Sequence, residues 1–82
     1  MSDLIENMPR HWWEEEMDLT IDRLGLMTLL GILDLALRHP KMPETTLNNG
    51  RQIGRQILTR MLEDGLKLPE AVEAVYRKTF DM

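Results

Sequence analysis

Residues 24–37 read LGLMTLLGILDLAL and form the most apolar stretch of this 82-residue chain. Leu and Met are good helix formers, and the stretch contains no proline. We predict a helix from about Asp18 to Arg38, which ends before Pro40 because the residue preceding a proline disfavours the α-helical region. Asp18 or Thr20 is the expected N-cap of this helix.

The polar residues of this first helix fall within an arc of roughly 60° at 100° per residue. They are Thr20, Arg23, Asp34 and Arg38, of which the last two are spaced to form an ion pair. Almost all of the remaining circumference is apolar, and a helix of that kind is buried over most of its surface. Two short neighbouring helices cover too little of it, so we expect a second copy of the chain to pack there.

Two more helices are predicted downstream, separated by proline and glycine residues. The second runs from about Glu44 to Asp64, with Gly65 as its left-handed C′ residue. The third runs from about Pro69 to Phe80, where apolar residues follow a three-four spacing. The connection between these two helices is short, so they should be neighbours in the fold.

Charge divides the chain into an acidic segment, residues 1–17, and a helical domain, residues 18–82. Six of the 14 acidic residues lie in residues 1–18, against one of the ten basic residues. The acidic segment is expected to be partly helical. One long helix from residue 10 to 38 and a short separate helix followed by a kink near Asp18 both fit the sequence.

The predicted fold is therefore all-α: a small three-helix bundle to which the N-terminal segment adds a short fourth helix or an extension. A chain of this length buries only about 60–65 % of its unfolded surface. Since there is no cysteine to form a disulfide, oligomerisation is the expected support. A homodimer with twofold symmetry is the commonest solution for a self-complementary surface.

A tandem repeat, GRQI-GRQI at residues 50–57, places Gly50 and Gly54 on the apolar side of the second helix. Glycine inside a helix costs about 0.5–1 kcal/mol relative to alanine, so two of them on one face need a reason. We predict close approach by another helix, as small residues permit. The alternative is that the helix begins after Gly50.

The candidate interface combines the apolar first helix, the glycine pair and the two tryptophans, since Trp is enriched in binding hot spots. Its members are Trp12, Trp13, Leu26, Leu29, Leu30, Leu33, Leu37, Gly50 and Gly54.

Arg51, Arg55 and Arg60 concentrate positive charge on the second helix and are the candidate docking residues for an acidic partner or for nucleic acid. The simpler interpretation is a solvated helix face. The net charge of −4 argues against nucleic acid. If the second and third helices formed a helix-turn-helix, the third helix would present Glu70 and Glu73 to the DNA. These carboxylates would repel the phosphates, which also argues against nucleic acid.

No catalytic or metal-binding constellation is apparent. His11 with Glu14 and Glu15 offers an incomplete ligand set, whereas a stable metal site needs three or four ligands. No nucleophile–base pair and no phosphate-binding loop is found. We therefore expect no enzymatic activity and no cofactor.

The sequence predicts a soluble cytoplasmic protein. Its first residues are acidic rather than typical of a signal peptide, and residues 24–37 are too short for a membrane span. The predicted function is a protein–protein interaction or adaptor module that self-associates through its first helix and has an unidentified protein partner. The alternatives are a regulatory nucleic-acid-binding protein and a small enzyme or ligand-binding bundle.

Overall fold

The computed structural model describes residues 9–82, except for the side chains of Arg10 and Trp12. Within this range the chain forms a short helix and three longer ones: α1 (Arg10–Glu14), α2 (Arg23–Leu37), α3 (Glu44–Glu63) and α4 (Glu70–Thr79). None of these described residues lies in a strand. The predicted all-α three-helix bundle is thus confirmed. Residues 1–8 of the predicted acidic segment lie outside the described residues.

Helix α2 begins later than predicted, because Asp22 rather than Asp18 or Thr20 is its N-cap. The Oδ1 atom of Asp22 accepts a hydrogen bond from the backbone N–H of Gly25 at 2.7 Å, which satisfies one of the free donors of the first turn. Residues 15–22 are not helical, and Glu15 is extended. The alternative of one long helix from residue 10 to 38 is therefore wrong.

The remaining helix ends follow local backbone rules. Pro43 and Pro69 immediately precede α3 and α4, where their missing N–H groups have no cost. Gly65 adopts a φ of 97° beyond the end of α3, as predicted. The backbone N–H of Leu66 then donates to the carbonyl of Met61 at 2.9 Å, which closes a Schellman motif.

The core lies where α2 crosses α3 and the end of α4. Its buried apolar side chains are Leu30, Leu37, Leu58, Met61 and Phe80. Phe80 follows α4 directly and is fully buried, with its ring 5.9 Å from that of Tyr76. Phe80 therefore anchors the last helix to the other two.

The orientation of α2 about its axis differs from the prediction. Asp34, at the centre of the predicted polar arc, is 5 % exposed. Its Oδ1 accepts a hydrogen bond from the Thr79 hydroxyl at 2.6 Å, and its Oδ2 accepts one from Arg38 at 2.9 Å. A buried carboxylate is tolerated when it is paired in this way. Asp34 consequently faces α4, and part of the apolar surface of α2 faces outward.

Candidate functional site

The outward side of α2 carries an exposed row of apolar side chains. Leu24, Ile32 and Leu35 are 75 %, 58 % and 67 % exposed, and Thr28 lies between them and is also exposed. At 100° per residue these four positions span about 80° of the helix. We call them the α2 stripe. The stripe contains no charged residue, and an exposed apolar surface of this kind marks interaction sites.

The structure uses most of the predicted interface residues inside the chain instead. Leu30 and Leu37 belong to the core, and Leu26, Leu29 and Leu33 are half-buried. Leu30 and Leu37 are therefore not available to a second copy, whereas the half-buried Leu26, Leu29 and Leu33 stay predicted interface residues. Periodicity shows how wide an apolar surface is but not which sector of it the neighbouring helices cover.

The glycine pair explains how the three helices come together. A Cβ built at Gly50 would lie 2.7 Å from Cδ2 of Leu37, and one at Gly54 would lie 2.8 Å from Cγ of Phe80. The close approach is therefore made by two side chains of the same chain. Helix α3 begins at Glu44, so the alternative start after Gly50 is wrong.

Both tryptophans belong to helix α1. Trp13 on α1 is 40 % exposed and lines a surface depression together with residues of α3, including Ile53. The side chain of Trp12 lies outside the described residues. Helix α1 thus lies beside α3.

The three arginines do not form one stripe. Arg55 donates to the carbonyl of Phe80 at 2.8 Å and so caps the end of α4. Arg60 is paired with Asp64 at 3.4 Å and its side chain is 75 % exposed. Arg51 and Arg60 are nine residues apart, which places them on opposite sides of the helix. The predicted docking surface is therefore divided.

Arg51 instead faces a cleft between α2, α3 and α4. The cleft has a volume of about 350 Å³ and is lined by Leu37, Arg38, Arg51, Val75, Lys78 and Thr79. The Nε atom of Arg51 is buried and has no hydrogen-bond partner among the described residues. This cluster was not predicted from the sequence. Its cations Arg38, Arg51 and Lys78 lie in or at the end of three different helices, and the sequence does not show how these helices are placed relative to one another.

Other classes of site find little support in the described part of the chain. Residues 9–82 contain no group of three or more His, Asp or Glu side chains that could hold a metal ion. His11 and Glu15 are both exposed. No helix among the described residues is long and apolar enough to cross a membrane.

No protein-family model, no curated protein and no solved structure matches the chain. The α2 stripe and the cleft beside Arg51 are therefore the features from which a function is inferred.

Proposed function

We propose that this protein is a small interaction module that forms a homodimer through the α2 stripe. The observation that carries the proposal is the exposure of Leu24, Ile32 and Leu35, three large apolar side chains on a face without charge. Large apolar side chains that lie together on the surface of so small a domain favour association over solvation.

The α2 stripe is suited to a second copy because it is self-complementary. A twofold axis near the middle of α2 would place Leu24 of each copy beside Leu35 of the other. The smaller Thr28 would then lie close to the crossing point, where it allows the two helices to approach. Such an interface uses the same patch on both copies, as a twofold dimer requires.

Charge at the two ends of α2 supports the antiparallel arrangement. Acidic residues, among them Asp18 and Asp22, precede the helix, whereas Arg38 and Lys41 follow it. In an antiparallel pair the acidic end of one copy meets the basic end of the other, and the helix dipoles are opposed.

The energetics predict a dimer of moderate affinity. Complete burial of an exposed Leu or Ile contributes about 1.5–3 kcal/mol, so six partly exposed side chains would contribute about 6–12 kcal/mol. Association costs about 4–15 kcal/mol in lost translational and rotational freedom. The most favourable difference between these ranges is about 8 kcal/mol, which corresponds to a dissociation constant of about 1 micromolar. We therefore expect the dimer to dissociate at micromolar or higher concentration.

Light scattering of matched leucine variants tests the proposal. Leu24→Asp places a charge in the α2 stripe, whereas Leu19→Asp places one on a leucine that is equally exposed, at 79 %, but precedes the helix. The wild type and L19D should both approach twice the chain mass of 9.6 kDa as concentration rises, and L24D should remain monomeric. A monomeric wild type at 100 micromolar or above would refute the proposal.

A role as an adaptor for a further protein and a cytoplasmic location stay predictions from the sequence. We do not propose nucleic-acid binding, since Arg51, Arg55 and Arg60 do not share a face.

A further inference from the structure

We propose that the cleft between α2, α3 and α4 binds the phosphate group of a small phosphate monoester. The residues that would hold it are Arg51 and Lys78, with Arg38 at the rim and Leu37 and Val75 as an apolar wall. This inference is independent of dimerisation, because none of these residues belongs to the α2 stripe.

The guanidinium of Arg51 carries an unpartnered donor. Its Nε atom is buried and makes no hydrogen bond to any described residue. A buried donor that has lost its water and gained no acceptor costs about 1–3 kcal/mol, and more when the group is charged. Arg51 lines the cleft, so a small shift of its guanidinium toward the cleft would bring Nε and a terminal nitrogen, as a fork, onto two oxygens of a bound phosphate.

The charge around the cleft favours a dianion. Arg38 is largely neutralised by Asp34, at 2.9 Å. The carboxyl ends of α2 and α4 add partial negative charge, which Arg38 and Arg55 reduce by donating to carbonyls of those helix ends. Arg51 and Lys78 line the cleft and form no ion pair with another described residue. Two such cations suit a dianion such as a phosphate monoester better than a carboxylate.

The cleft has the size and lining for a small organic phosphate. A volume of about 350 Å³ is at the lower end of the range for small-molecule sites. Leu37 and Val75 are the apolar residues of its lining, so an apolar substituent on the phosphate would find contacts with them. We therefore expect a monoester with a small apolar group to bind more tightly than inorganic phosphate.

The experiment is an NMR titration of the full chain at constant ionic strength, with the side-chain Nε–H signal of Arg51 as the reporter. The probes are phenyl phosphate, inorganic phosphate and sodium chloride. We expect saturable shifts with phenyl phosphate, a dissociation constant several-fold larger for inorganic phosphate, and none with chloride. Equal affinity for the two phosphates would overturn the monoester assignment, and shifts with chloride alone would overturn the site.

Matched arginine variants locate the binding. Arg51→Met keeps the apolar stem and removes the fork, whereas Arg60→Met removes the same charge from the opposite side of α3. The dissociation constant for phenyl phosphate should rise at least tenfold in R51M and stay within twofold of wild type in R60M. Equal weakening in both variants would show that only net charge matters and would contradict the proposal.

Loss of the fold is distinguished from loss of the site by stability without ligand. Because R51M removes an unsatisfied donor, its thermal midpoint in chloride buffer should equal or exceed that of the wild type. Lys78→Met, at an exposed position, provides a second variant, which should also weaken binding several-fold. Unchanged phenyl phosphate affinity in both R51M and K78M would refute the assignment.

Discussion

The packing of Phe80 against Gly54 predicts that Gly54→Ala destabilises the protein, although alanine is the better helix former. The new Cβ would lie 2.8 Å from Cγ of Phe80 and closer still to Cδ1 and Cε1. Phe80 is fully buried, so its ring can move only by displacing other core atoms. Overpacking of this kind costs about 1–3 kcal/mol, and the gain in helix propensity returns about 0.5–1 kcal/mol.

The expected net loss is about 1–2 kcal/mol, which corresponds to a fall in thermal midpoint of about 5–15 °C for a domain of this size. Gly31→Ala is the control, because its Cβ would meet only the Tyr76 hydroxyl, at 3.8 Å, and the midpoint should rise by about 2–8 °C. Both are made in the L24D background so that self-association does not contribute, and circular dichroism measures the midpoints. Equal stabilisation by both substitutions would refute the account of the core.

Three further predictions concern single contacts and are checked by urea unfolding in the same background. Thr79→Val should cost about 1.5–3 kcal/mol, because it removes a hydrogen bond to the buried carboxylate of Asp34; an unchanged midpoint would mean that this bond is absent in solution. Asp81→Gly should add about 0.5–1 kcal/mol, because Asp81 has a φ of 58° beyond the end of α4, and a loss of stability would contradict that geometry. Arg55→Met should cost about 1–2 kcal/mol through the lost cap of α4, whereas Arg60→Met should cost less than about 0.5 kcal/mol; the reverse order would be inconsistent with the structure.

The helices of this protein were predictable because their ends are marked by residues with strong backbone preferences. Pro40 and Pro43 separate the first two long helices, and Gly65 takes the left-handed conformation expected of it. The one end that was misplaced, the start of α2, offered three acceptable N-cap residues within five positions. Local sequence could not choose among Asp18, Thr20 and Asp22.

The surfaces were less predictable, because they depend on how the helices rotate against one another. Asp34 was expected on an exposed polar face, yet it is buried against Thr79. The two residues are 45 positions apart in sequence, so no local pattern could show that they meet. Once α2 is turned to bury Asp34, Ile32 lies about 160° away around the helix and faces outward. The contact made by Arg55 was unpredictable for the same reason. Arg55 reaches the end of α4 because Phe80 is buried in the core, and these two residues are far apart in sequence.

The central claim is that two copies pack through the α2 stripe, and a cross-link across the proposed twofold axis tests it most directly. The chain has no cysteine, so Thr28→Cys introduces a single thiol that is about the size of the threonine it replaces. Packed helices lie about 8–10 Å apart, so two Thr28→Cys chains at 100 micromolar should form a disulfide-linked dimer under mild oxidation. Thr59→Cys, at an exposed position of α3, is the control and should stay largely unlinked. Cross-linking of Thr28→Cys no faster than that of Thr59→Cys would contradict the account.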